Sequence, residues 1–110
     1  MERIYNKLVR DNIPKIIKEN NEEPIIRILN DDEYKLELEK KLYEEYLEVL
    51  NASGTDRLLE LADMLEVIRF LAKLEEKDLE DIIEIANNKN KIRGSFNEKK
   101  FLEKVVSSKL

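Results

Sequence analysis

Four carboxylates have the types and spacing to do chemistry: Glu45 and Glu48 in EEYLE (44–48), then Glu60 and Asp63 in ELADMLE (60–66). Within each pair the spacing is i, i+3, which puts both side chains on one side of a helix. With Glu60 at zero on a helical wheel, Asp63 lies about 60° away, among Met64, Val67, Phe70 and Leu71. Glu66, Arg69 and Lys73 gather on a different arc. With Glu45 at zero, its neighbours are Leu38, Val49, Tyr34 and Ala52, while Glu37, Lys40 and Glu44 form a polar arc and Glu48 stands at the border. The acids therefore fall in or beside the apolar sectors of their helices rather than opposite them.

Only a few residues around Ser53-Gly54 separate the two segments, so the helices must run antiparallel as a hairpin. Residues equidistant from the turn then come level. Glu48 and Glu60 are each six positions from Gly54, and Glu45 and Asp63 are each nine. Four acids at a partly dry interface repel one another and lose hydration, unless they are protonated, paired with bases or bound to cations. Of the cations, Mg²⁺ suits carboxylate oxygens and substrate phosphates best, with Mn²⁺ as the alternative. It would polarise a phosphoryl oxygen and activate a water. Taken singly, E-x-x-E on a Lys-rich helix is an ordinary solvated ion-pair face. The conjunction of both motifs, at matched distances from one tight turn, is what points to a site.

The elements that must position these acids are helical. Asn30-Asp31-Asp32 offers caps for a long helix over roughly 32–52, and Thr55 or Asp56 for one reaching Lys73-Leu74. Earlier, Asp11 or Asn12 caps a short helix opened by Pro14 and ending near Asn20-Asn21. RIYNKLVRD before it reads as an extended arm, and PIIRIL (24–29) as a strand or an extended tether. A further helix begins after Asp78 and stops at Gly94, and Asn97 is placed to cap a last one bearing Phe101, Leu102, Val105 and Val106. The expected fold is mostly α, an antiparallel helical hairpin within a bundle, with a short extended N-terminal arm. Residues 1–110 form one domain in this reading.

Composition narrows the chemistry. Charged residues make up 41% of the chain against 6% aromatic, with two Gly and two Pro, as expected of long helices laced with ion pairs. With neither Cys nor His, disulfides, thiol nucleophiles, imidazole bases and the usual zinc, copper or haem ligands are excluded, so any metal is held by oxygen. A net charge of −5 argues against a nucleic-acid polymer or an anionic membrane as the main partner. No apolar run approaches the ~20 residues of a membrane span, and the first residues do not read as a signal peptide, so a cytoplasmic location is expected.

The carboxylate motifs resemble the E-x-x-E and E-x-x-D signature on consecutive helices of the all-α nucleoside triphosphate pyrophosphohydrolase superfamily, which includes MazG-like enzymes. YNKLVRDNIPKII (5–17), PIIRIL and KIRGSF (91–96) are similar to its phosphoribosyl-ATP pyrophosphohydrolase-like subgroup. The resemblance implies Mg²⁺-dependent cleavage of a nucleotide between its α- and β-phosphates, giving a monophosphate and pyrophosphate, by a homodimer or higher homo-oligomer. It implies Glu45, Glu48, Glu60 and Asp63 as metal ligands, with one glutamate also orienting the attacking water. Lys7, Arg10, Lys91 and Arg93 become candidates for phosphate contacts, since cations opposite the metal complete a clamp on a polyphosphate. Their other reading is surface charge, and for Arg93 a basic residue favoured at a helix C-terminus. The segment between Glu48 and Glu60 is short for the superfamily and offers no long lid. Asn12 stands where the subgroup often has a basic residue. Two alternatives remain: a helical oligomerisation or interaction module whose acids meet a partner's lysines, and a nucleotide-binding protein that is not an enzyme.

Overall fold

Helix formation starts from local signals that can be followed residue by residue. In the computed structural model, which describes residues 1–107, the helices are α1 (Ile13–Glu19), α2 (Asp31–Asn51), α3 (Gly54–Leu74) and α4 (Leu79–Arg93). No strand occurs among the described residues, so the expected mostly-α class holds. Two compact units are distinguished, Met1–Leu79 and Glu80–Leu110. The first contains the arm, α1, α2 and α3.

α2 begins in a capping box: the Asn30 side chain accepts from the Glu33 amide at 2.9 Å, and the Asn30 amide donates back to the Glu33 carboxylate. Asp31, Asp32 and Glu33 add negative charge where the helix dipole favours it. Arg27 grips the same Glu33 carboxylate with both guanidinium nitrogens, at 3.1 and 2.7 Å. This contact and the Asn30 amide hold the Glu33 carboxyl below its ordinary range, and they tether PIIRIL to the helix start. PIIRIL itself has no helix or strand, with Ile25 and Ile28 exposed, so the strand of the two readings is not formed.

α2 gives way to α3 across Ala52 and Ser53. Gly54 carries a φ of +57°, a conformation costly for a residue with a Cβ, and it lets the chain reverse in so few residues. The α3 N-cap position falls at Ser53, earlier than the expected Thr55 or Asp56, and its side chain makes no capping bond. Instead Arg57, in the first turn of α3, donates its Nε to the Val49 and Ala52 carbonyls at the end of α2. One side chain thus satisfies carbonyls that the helix end leaves open. α2 packs on α3, with Leu38 and Val67 buried between partly exposed neighbours.

The ends of α1 and α3 share one device. Asn21 and Glu76 adopt positive φ, 63° and 60°. The amides of Glu22 and Lys77 reach back to the Ile17 and Ala72 carbonyls at 3.2 and 3.0 Å, the Schellman arrangement. In the second unit, α4 ends at Gly94, whose φ of +75° stops the helix. The helix expected from Asn97 is not formed among the described residues, which run without helix from 94 to 107. Phe101, Leu102, Val105 and Val106 are all at least 75% exposed. A segment this short is marginal as an isolated helix without a surface to bury its apolar face.

Candidate metal centre

The hairpin register delivers most of what the counting implied. Glu45 on α2 and Glu60 and Asp63 on α3 each offer a carboxylate oxygen, and these atoms lie within 4.8 Å of one another. Glu45 is buried at 9% exposure, and Glu60 and Asp63 are half-buried. Glu48 lies outside this close group and is exposed, although its charge still acts on Glu60.

The electrostatics match the crowding. Burial, then the neighbouring Asp63, pushes the Glu45 carboxyl up, and Glu60 adds a smaller push; Lys41 pulls it back in part. Glu60 is raised likewise, by loss of hydration first and then by Asp63, Glu48 and Asp56; a proton on it is also held by a hydrogen bond with Asp63. Without a cation, the group favours holding protons that isolated carboxyls would release.

Positive charge reaches the cluster from the arm. Arg10 donates from Nη2 to Asp63 Oδ1 at 2.8 Å, and Lys7 pairs with Glu44 Oε1 at 3.4 Å. The arm is thus tied to α3 by one cation and to α2 by the other, while Arg3 holds Glu22 beyond α1 at 2.6 Å. Lys41 is 22% exposed at its side chain and also meets Glu44 at 3.4 Å. Its role was missed in the sequence, although its i−4 spacing from Glu45 is the signal that would have found it. Lys91 and Arg93 belong to the second unit, in the last turn of α4, and both are exposed. Two positions apart on a helix, they point in diverging directions.

Beside the carboxylates lies a groove of about 420 Å³. Leu8 of the arm, Ile13 and Ile16 of α1, Tyr34 of α2, and Val67 and Phe70 of α3 supply much of its wall, and Arg10, Glu45 and Asp63 are among its charged lining residues. Burial, and next the charge of Asp11, raises the Tyr34 hydroxyl, so it remains a hydrogen-bond donor at neutral pH. The donor set suits a hard divalent cation: three carboxylates from two rigid helices, two of them already biased against carrying uncompensated charge.

No protein family matches the chain, and neither does any solved structure. Over 54 residues it is 46% identical to an uncharacterized protein of Mycolicibacterium smegmatis, a match covering 49% of this chain and 55% of that protein. The chain spans about half the length of this relative.

Proposed function

We propose that the protein is a divalent-cation-dependent nucleotide pyrophosphohydrolase, cleaving between the α- and β-phosphates to give a nucleoside monophosphate, or phosphoribosyl-AMP, and pyrophosphate. The observation that carries this reading is the convergence of Glu45, Glu60 and Asp63 within 4.8 Å, two of which, Glu45 and Asp63, also line a groove. The motif resemblance supplies the reaction class. Glu45, Glu60 and Asp63 would hold Mg²⁺ or Mn²⁺. The cation, when bound, supplies Lewis-acid polarisation of the phosphate and a more acidic water. Glu48, exposed and with its charge acting on Glu60, would orient water or complete the ligand set.

Arg10, which lines the groove, and Lys7, paired with Glu44, would supply positive charge for the phosphates. The apolar wall with Tyr34 and Phe70 offers a surface for a base. The hairpin also exposes Leu61 and Leu65, which with Ala62, Met64 and Ile68 line a second, apolar groove. An exposed apolar helix face of this kind supports the homodimer or higher homo-oligomer of the reading. Among the described residues no helix is long and apolar enough to cross a membrane, and a cytoplasmic location belongs to the same proposal.

The test is product analysis. Purified protein is incubated with a panel of nucleoside triphosphates and phosphoribosyl-ATP, with Mg²⁺ or with EDTA. Cation-dependent release of pyrophosphate and a monophosphate, lost in Glu45→Gln and Asp63→Asn, is expected. Release of orthophosphate and a diphosphate would overturn the cleavage position. A fully inert wild type that binds a helical protein through the same acids would establish the interaction module instead.

A further inference from the structure

The Arg10–Asp63 ion pair poses a conflict that the proposed cation site has to resolve. Asp63 Oδ1 already accepts from Arg10 at 2.8 Å, and the ligating oxygens of Glu45, Glu60 and Asp63 span no more than 4.8 Å. A divalent cation held by all three would therefore stand a few ångströms from the guanidinium, where like charges repel strongly. Cation and guanidinium then compete for the Asp63 carboxylate.

Arg10 is the group able to move. Glu45, Glu60 and Asp63 project from the paired helices α2 and α3, whereas Arg10 lies on an arm without helix or strand, with its side chain 59% exposed. An exposed ion pair of this kind is weak, so it breaks at little cost. The other cations nearby, Lys7 and Lys41, are paired with Glu44, outside the trio. Arg10 also lines the groove in which Asp63 and Glu45 stand, so a guanidinium released from Asp63 remains beside any ligand occupying it.

We infer that Arg10 is an exchangeable counter-ion. It neutralises Asp63 while the carboxylates hold no cation, and it turns to a phosphate of a bound polyphosphate once a divalent cation takes Asp63. The order of assembly follows: cation first, polyphosphate second, each easing the other. The guanidinium's planar fork suits both partners, since carboxylate and phosphate oxygens accept the same paired N–H donors. This inference rests on the cation site proposed above and adds to it a competitor within the chain.

The experiment needs no turnover. Calorimetric titration of the full chain with MnCl₂ alone gives the cation affinity of wild type, Arg10→Gln and Arg3→Gln, the last cutting a tie of the arm remote from the carboxylates. A second titration, at saturating Mn²⁺, uses α,β-methylene-ATP, which resists hydrolysis at the proposed bond. Removing the competitor should tighten Mn²⁺ binding in Arg10→Gln by about two- to fivefold. The same variant should bind the analogue roughly tenfold or more weakly. Arg3→Gln should match wild type in both titrations. Equal or weaker Mn²⁺ binding by Arg10→Gln overturns the exchange, and an unchanged analogue affinity overturns the transfer to phosphate. If Arg10→Gln alone binds Mn²⁺, the competition is stronger than expected and the inference stands. If neither protein binds Mn²⁺, the cation site itself is refuted and the inference falls with it.

Discussion

Glu45 is the acid whose removal should be felt most, in opposite directions with and without a cation. It is 9% exposed, with oxygens of Glu60 and Asp63 no more than 4.8 Å away. Two unit charges at that distance and an effective dielectric near 20 repel by about 3 kcal/mol. Arg10 on Asp63 and the half-buried Lys41 offset part of this, leaving about 1–2 kcal/mol as the net gain from a neutral side chain. The sign with pH follows from the raised carboxyls of Glu45 and Glu60. The folded chain keeps protons that the unfolded chain has released, so stability is lost as pH rises from the ordinary value of 4.5 through the raised folded values. In urea titrations followed by circular dichroism in EDTA, Glu45→Gln should therefore be more stable than wild type at neutral pH. The advantage should vanish in acid, where the wild-type carboxyl is protonated. Saturation with Mn²⁺ at a hundred times its dissociation constant should stabilise wild type by about 2.7 kcal/mol and the variant far less, reversing the order. A Glu45→Gln protein that is less stable at neutral pH in EDTA, or equally favoured at every pH, would refute the repulsion on which the site rests.

Three further outcomes probe the scaffold. Leu38→Ala removes a side chain only 4% exposed and should cost about 2–4 kcal/mol, read from the urea midpoint. Glu76→Gly relieves a positive φ of 60° at the end of α3 while keeping the backbone bonds that close it. It should gain roughly 0.5–1 kcal/mol, and a loss would mean that the Glu76 side chain matters more than its backbone. Leu65→Glu places a charge in the exposed apolar groove with Leu61 and Ile68. In light scattering it should reduce an oligomer to the mass of one chain, and an unchanged mass would exclude this face as the interface.

Helix positions were legible wherever a local device set them. Asn30-Asp31-Asp32 offers the cap of α2, Gly54 marks the reversal, and Gly94 marks the stop of α4; that Glu33 closes a capping box with Asn30 only the structure shows. At 97–107 a candidate cap at Asn97 and helical spacing were not enough. Phe101, Leu102, Val105 and Val106 have helical spacing, but spacing stabilises a helix only where another surface covers the stripe. PIIRIL teaches the same about strands. Its β-branched residues favour extension, but a strand needs a neighbouring edge to pair with, and no strand occurs among the described residues.

The carboxylate site was legible in one dimension more than in the other. Counting outward from Gly54 fixes how far each residue lies from the turn, and it correctly levelled Glu45 with Asp63. Whether a level residue also faces its partner depends on azimuth, which the helical wheel resolves only to within an arc. Glu48, already at the border of its apolar sector, therefore lands exposed, while Glu60 turns inward and joins the other two. The Arg10–Asp63 pair was not readable at all, because it joins residues 53 positions apart through an arm without periodicity. That difference has a functional side. Carboxylates on paired helices are held whether or not a cation is present, and their repulsion is stored in the fold. An exposed arginine on an arm without helix or strand can leave at little cost. A rigid anionic cluster with a removable counter-ion is the arrangement in which cation binding releases strain rather than creating it.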